Sequence, residues 1–384
     1  MPTAIDPAQA ATAPERASPV PSFWPPDASL GERLAELHTE IRQQPGLHPL
    51  GRIAVARYDA AGSRLATFLA SGDPVNPVEH FAAPLADFPR LRAALWSGQD
   101  LVENDIPGGR GLAHPDGRLR RDGYRSRYVA PILEDGRPFG LLFFNARQPG
   151  FFSAEVVLSL KPYRHLIGHV VVTEAGRLRA MLATAQVARE ISHYRDDETG
   201  GHLERMAAYA RLIAGTLAPR LGLSDEFVEL IGQFAPLHDI GKVAIPDSIL
   251  LKPGKLTAEE YAVMQTHVVR GVEIVDHIAG VHQMQSSPYV RMLRNIVACH
   301  HEALDGSGYP HGLSGSALPW EGRIVTVADV FDALTSARPY KAPWSNEEAL
   351  AHLRALAGTR FDPLCVEALA GHAAEVARIQ ERLA

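Results

Sequence analysis

Eight side chains in the second half of the chain are of the kinds that hold metal ions: Glu198, His202, His238, Asp239, His267, His300, His301 and Asp329. Several sit in apolar frames. Gln233-Phe234-Ala235-Pro236-Leu237 runs into His238-Asp239-Ile240, and Asn295-Ile296-Val297-Ala298-Cys299 runs into His300-His301. Ionisable groups in such frames cost roughly several kcal/mol each unless they find partners or lose their charge. Shared cations remove that cost. A single histidine on an apolar helix face is more often a hydrogen-bonded core residue than a ligand. Imidazoles and carboxylates gathered in this number point instead to a metal site.

The donor types narrow the metal. Imidazole and carboxylate without thiolate, in more donors than a closed tetrahedral zinc site uses, suit iron or manganese in a cluster of two or three divalent ions. Ions about 3.5–4 Å apart lower the pKa of water and stabilise both attacking and leaving oxygens of an in-line phosphoryl displacement. Phosphoester hydrolysis is the reaction expected. Glu198 and His202 are four apart, which on a helix sets them on one face about 6 Å apart along the axis. His238 and Lys242 repeat that spacing, so the Lys242 ammonium would project beside the metal-bearing turn, where it can meet a phosphate oxygen. Asp329 and Asp332 sit three apart in the apolar run Val327 to Leu334. One is expected as a ligand, the other as a partner of a ligand or a substrate contact.

The elements that must position these groups follow from pattern and composition. A chain of 384 residues has room for two domains with their own cores. A hydrophobic fraction of 46%, a charged fraction of 21% and a net charge of −6 suit a globular protein with no general attraction to nucleic acid or anionic membrane. Cys299 and Cys365 are the two cysteines, so neither a disulfide framework nor a Cys-rich zinc site is expected, and a reducing cytoplasm fits. Residues 1–28, rich in Ala and Pro, read as a disordered tail rather than a signal peptide. No apolar run reaches the roughly 18 residues of a membrane span.

The texture changes near residue 170. Arg52 to Tyr58 and Leu65 to Leu69 read as strands around the turn Asp59 to Ser63, and Tyr128 to Ile132 and Phe139 to Phe144 as strands around Glu134-Asp135-Gly136. With helices at Leu30 to Ile41 and Phe88 to Trp96, residues 29–170 are expected to form an α+β domain with an antiparallel sheet. Val172 to Ile191 reads as one long helix whose stripe of Leu178, Met181, Leu182, Ala185 and Val187 packs either in the second domain or against a partner's helix. Residues 171–192 are thus the expected connecting helix, and 193–384 an all-α bundle with loops at Lys252 to Lys255 and Asp305 to Gly315.

His238-Asp239-Ile240-Gly241-Lys242, His300-His301-Glu302, Asp305-Gly306-Ser307-Gly308-Tyr309-Pro310 and Arg338-Pro339-Tyr340-Lys341 resemble the HD-GYP domain, a branch of the HD phosphohydrolase superfamily. The resemblance covers roughly residues 180 to 375, including Asp196-Asp197-Glu198-Thr199-Gly200. It implies hydrolysis of cyclic di-GMP to pGpG and often onward to GMP. It also implies that the eight donors are metal ligands, with Glu198 and His202 at positions associated with a third ion. The resemblance further implies that His238, Asp239 and Lys242 are catalytic. Lys242, Tyr309, Asp332, Arg338 and Lys341 match positions around the substrate phosphates and guanine. It leaves the proton donor to the leaving 3′-oxygen unassigned. The Gly308-Tyr309-Pro310 loop is either a turn over the metal site or a handle for a diguanylate cyclase. Gly123-Tyr124-Arg125-Ser126-Arg127-Tyr128, Pro131-Ile132 and Gly140 to Phe144 are similar to a GAF domain, which implies a sensor for an unknown small molecule. His80, His114, His165 and His169 read as surface or core residues rather than haem ligands. The expected molecule is a GAF-like α+β sensor followed by an all-α HD-type bundle, with a homodimer through the connecting helix among its possible forms. The rival reading is a catalytically weak effector that binds cyclic di-GMP and signals through protein contacts.

Overall fold

A computed structural model describes residues 24–60, 62–72, 78–108, 111, 114–193, 200–336 and 342–383. Helix α1 (Leu30–Gln43) starts at a capping box, in which the Ser29 hydroxyl accepts from the Glu32 N–H and Glu32 accepts from the Ser29 N–H. Six strands follow: β1 (Leu50–Asp59), β2 (Arg64–Gly72), β3 (Ala82–Pro84), β4 (Leu101–Glu103), β5 (Ser126–Glu134) and β6 (Arg137–Ala146), with α2 (Pro89–Ser97) and α3 (Pro115–Arg121) between them. They pair antiparallel in the order β3-β2-β1-β6-β5-β4. The four long strands and the first two helices stand where the sequence pattern places them. The edge strands β3 and β4 and the helix α3 do not show in that pattern, because segments this short carry no period.

Helix α4 runs unbroken from Ala154 to His193. The connecting helix expected at 171–192 therefore begins inside the sheet domain, and the expected change at residue 170 falls in mid-helix. Its first half lies on the sheet, where Gly168 faces Ile132 and Arg164 pairs with Asp100. Its second half meets the bundle, where Arg177 donates to the Gln283 carbonyl at 3.0 Å. Leu178, Met181, Leu182 and Ala185 are buried inside this chain, whereas Val187 is exposed. The stripe thus packs mainly in its own core.

The bundle comprises α5 (Gly200–Leu221), α6 (Asp225–Phe234), α7 (Asp247–Leu250), α8 (Ala258–Gln265), α9 (His267–Val281), α10 (Pro288–Cys299), α11 (Trp320–Thr335), α12 (Asn346–Ala355), α13 (Pro363–Ala370) and α14 (Ala373–Arg382). Among the described residues no helix is long and apolar enough to cross a membrane. Cys299 and Cys365 are buried free thiols. Buried side chains from Leu34 and Phe144 through Leu182 to Phe234, Ile296 and Phe331 form one continuous cluster that runs from the sheet into the bundle. A smaller cluster lies between α2 and the sheet.

Polar contacts seal the junction. His80 pairs with Asp225 at 2.9 Å, Arg57 with Glu229 at 3.4 Å and Arg33 with Glu174 at 3.1 Å. The buried Tyr289 hydroxyl donates to Glu226 at 2.5 Å and accepts from the Leu30 N–H at 3.2 Å. Burial pushes the Glu226 carboxyl up to about 7, against the pull of Tyr289, while Glu32 raises it and Arg33 lowers it. The folded state therefore keeps a proton that the unfolded chain loses from about 4.5, and stability falls as pH rises from there to about 7. Glu226→Gln should flatten that slope, gaining up to about 3 kcal/mol relative to wild type between pH 5 and pH 8 in denaturant unfolding.

Candidate metal centre

The predicted ligands meet where four helix ends converge. His202 stands in the first turn of α5 and Asp329 in α11. His238 and Asp239 join two short 3-10 turns, Ala235–Leu237 and Ile240–Ala244, after α6. His267 opens α9, and His300 caps α10 with His301 beside it. Two donor sets result: Asp239, His267, His300 and His301 in one, His202, His238 and Asp329 in the other. Glu198 lies outside the described residues, as do Arg338 and Lys341.

Each of four rings is fixed from behind. His238 Nδ1 donates to the Ala235 carbonyl at 3.0 Å, His267 Nδ1 to Met264 at 2.7 Å and His300 Nδ1 to Val297 at 3.0 Å. His202 Nδ1 donates to Asp332 at 2.7 Å. With the proton on Nδ1, every Nε2 turns a lone pair inward. His267 Nε2 then faces His300 Nε2 at 3.4 Å, and Asp239 Oδ1 lies 3.1 and 3.4 Å from the same two nitrogens. All three atoms are acceptors. Asp239 Oδ1 is accordingly buried without a hydrogen-bond donor among the described residues. A cation among these atoms turns mutual repulsion into coordination, so the residues fit a bound metal.

Asp239 spans the two sets. Its Oδ1 faces His267 and His300, and its Oδ2 lies 3.2 Å from His238 Nε2. Across the second set, Asp329 Oδ1 is 3.7 Å from His202 Nε2 and 3.9 Å from His238 Nε2. Burial opposes the charge on Asp239, yet Lys242 at 2.9 Å and His238 hold its carboxyl well below the usual range. His300 and His301 are pushed down by burial first, so both rings are kept neutral and able to ligate.

Close backbone approach makes this convergence possible. A side-chain carbon on Gly241 would lie 1.9 Å from the His267 carbonyl and 2.5 Å from the Gly271 nitrogen. Only glycine lets the His238-Asp239 turn lie against the start of α9. Gly308 plays the same part in the loop after His301, where an added carbon would fall 2.5 Å from the His301 carbonyl oxygen. Tyr309 then stacks on His301 with ring centroids 4.7 Å apart and planes at 24°. Both of its expected roles, cover over the metal site and substrate contact, are open to it there.

Two expectations change. Lys242 reaches the site from a 3-10 turn rather than from an α-helix shared with His238, and its ammonium already pairs with Asp239. Asp332, expected among the substrate contacts, is fully buried. It accepts from His202, from Arg205 Nε at 2.8 Å and Nη2 at 3.0 Å, and from the Ser336 hydroxyl at 2.9 Å. Among the described residues its contacts are to His202, Arg205 and Ser336, and it holds the His202 ring.

Sequence reasoning missed Arg205, and it quoted Glu302 within a motif without giving it a role. Arg205 lies one turn after His202 on the same helix face, which is the signal that was available. Glu302 is buried next to His301, and its carboxylate accepts from the N–H groups of His311 at 2.8 Å and Leu313 at 3.0 Å. It shapes the glycine-rich loop. Asp332→Asn should weaken metal binding about 10–100-fold, because the amide can no longer serve His202 and Arg205 together. Competition with a chelator would measure the loss.

Comparison with known proteins adds a family to this geometry. Residues 188–364 match the HD domain family. The cyclic di-GMP phosphodiesterase response regulator of Xanthomonas campestris pv. campestris is 49% identical over 195 residues, covering 51% of this chain and 48% of that protein. The 3′3′-cGAMP-specific phosphodiesterase 2 of Vibrio cholerae is 45% identical over 189 residues, covering 49% of this chain and 34% of that protein. A cyclic di-GMP phosphodiesterase of Thermotoga maritima is 42% identical over 197 residues, covering 51% and 50%. The chain thus spans half or less of the length of these relatives. Among solved structures, a GAF domain region from Geobacter sulfurreducens covers 37% of this chain and 92% of its own, at 18% identity and a TM-score of 0.30. At that score the likeness carries no argument.

Proposed function

From the premise that residues 188–364 form an HD domain, we propose that this chain is a metal-dependent phosphodiesterase acting on cyclic di-GMP, with pGpG as first product and GMP as the next. The observation that carries this reading is the Asp239 carboxylate, one oxygen toward each of two donor sets in which His202, His238, His267 and His300 turn Nε2 inward. Asp239, His267, His300 and His301 would hold one ion and His202, His238 and Asp329 another, with the second Asp239 oxygen facing His238. Glu198 would join the ligands of a third. Iron or manganese suits these donors.

When bound, such ions supply an activated water and balance charge on phosphoryl oxygens. The chain's own part is positioning. The carbonyls behind His238, His267 and His300 and the carboxylate behind His202 hold the rings in register. Lys242, 2.9 Å from Asp239, stands ready to share its charge with an incoming phosphate. Tyr309, half-buried and stacked on His301 with Tyr261 edge-on to it, would offer a base or ribose an aromatic contact. Arg338 and Lys341 complete the proposed substrate contacts.

The N-terminal α+β domain we read as a GAF-like sensor, on the residues from Gly123 to Phe144. A cavity lined by Arg52, Leu65, Phe81, Phe88, Asp116 and Arg127 gives a small ligand a place. A cytoplasmic location, a homodimer and a contact of the Gly308-Tyr309-Pro310 loop with a diguanylate cyclase belong to the same reading.

Hydrolysis of 3′3′-cGAMP is the second reading, favoured by the 45% identity to an enzyme named for it. Anaerobic purification with metal analysis, followed by chromatography of both cyclic dinucleotides, tests the two together. Two or three ions per chain and conversion of cyclic di-GMP are expected. Faster turnover of cGAMP would transfer the assignment to it, and tight binding without product would favour an effector. His238→Ala and Asp239→Ala should each lower turnover more than about 100-fold while far-UV circular dichroism stays unchanged. Preserved turnover in either variant would remove the site assignment.

A further inference from the structure

Helices α6 and α10 touch at both ends. Glu226 is the second residue of α6 and Tyr289 the second of α10, and the two side chains meet at 2.5 Å. At the far ends, His238 follows α6 through one 3-10 turn and His300 caps α10, with ring centroids 5.0 Å apart. Twelve residues separate Glu226 from His238 and eleven separate Tyr289 from His300. The two segments are therefore side-by-side struts about 17 Å long, with a buried hydrogen bond at one end and metal ligands at the other. Leu230, Phe234, Leu293 and Ile296, all buried, fill the space between and around them.

The N-terminal domain holds the hydrogen-bonded end. The Leu30 N–H at the start of α1 donates to the Tyr289 hydroxyl at 3.2 Å, and Gly31 lies against the Glu226 carboxylate. Both His80 groups that reach Asp225, the backbone N–H at 2.7 Å and the ring at 2.9 Å, come from that domain. Arg57 of β1 reaches Glu229 one turn further on. The first two turns of α6 are thus gripped from the sheet domain at three acidic residues, Asp225, Glu226 and Glu229.

We propose that Glu226 and Tyr289 are positioning residues for the metal centre, and that the N-terminal domain acts on the spacing of His238-Asp239 and His300-His301 by closing on this pair. A packed strut passes displacement at one end to the other because its interior is close to incompressible. At the ligand end a few tenths of an ångström matter, since donor atoms must sit within about 0.2 Å of the distances a metal accepts. The Glu226–Tyr289 bond joins the two struts and the N-terminal domain at a single point. The inference rests on the metal-site reading above, but not on the identity of the substrate.

The test uses the full chain and Mn²⁺ as the probe. Tyr289→Phe removes one hydroxyl from a buried ring, and Glu226→Ala removes the acceptor. Glu226→Gln keeps an acceptor for the Tyr289 hydroxyl. In the first two variants Mn²⁺ affinity should fall about tenfold, as for groups that orient ligands without touching the metal. Amide hydrogen exchange should quicken at residues 236–242 and 297–303, and Glu226→Gln should restore both readouts. Quickened exchange confined to the first turns of α6 and α10, with Mn²⁺ affinity unchanged, would overturn the proposal and leave the pair a purely structural contact. A wild-type protein that binds Mn²⁺ yet hydrolyses no cyclic dinucleotide would defeat the phosphodiesterase reading alone, because affinity and exchange report without turnover.

Discussion

Imidazole rings that donate from Nδ1 to an oxygen behind them must present lone pairs in front, and here four such rings converge on two carboxylates. Atoms that are all acceptors repel one another in a buried site. The arrangement is stable only with positive charge among them, and the rest of the bundle is arranged to hold it open in that form. Lys242 supplies part of that charge to Asp239 from within the chain. Divalent ions of the kind these donors select would supply the remainder.

Supporting contacts explain why the ligands sit at element ends. A helix end is where a ring can reach back to a carbonyl that the helix no longer uses, and His267 and His300 both exploit it. His202 stands within the first turn of its helix and uses a carboxylate instead. Asp332 is buried for that purpose and is itself held by the Arg205 fork. The glycine contact at Gly241 and Gly271 brings two of these ends within reach of each other, and Glu302 folds the following loop back over His301.

The N-terminal domain is not tethered beside this machinery but packed into it. One helix of 40 residues serves both the sheet and the bundle, and the apolar cluster runs through the junction without a break. Any change at the sheet face that moves α1 also moves a buried contact shared with α6 and α10. Such a junction couples the sheet face to the bundle more directly than a flexible linker would, since packed elements move as bodies.

The donor types and the four long strands were legible in the chain because each depends on local matters: residue chemistry, an apolar frame, and a period of two. Asp329 and Asp332 show where that ends. Three residues apart on one helix, they are near-equivalent in sequence, and only the packing of α11 against α5 turns Asp329 toward the donor set and buries Asp332 behind His202. Lys242 was placed beside the site but on the wrong kind of turn, since spacing names neighbours only once the helix type is known. Residue 170 falls in mid-helix for a related reason: an amphipathic stripe says that a face is covered, not by which element. Sequence by itself determined which groups could bind metal and roughly what chemistry they would do. Tertiary structure alone decided which of them face one another, because His202, His238, His267 and His300 lie tens of residues apart, and no local period reaches across the loops that join them.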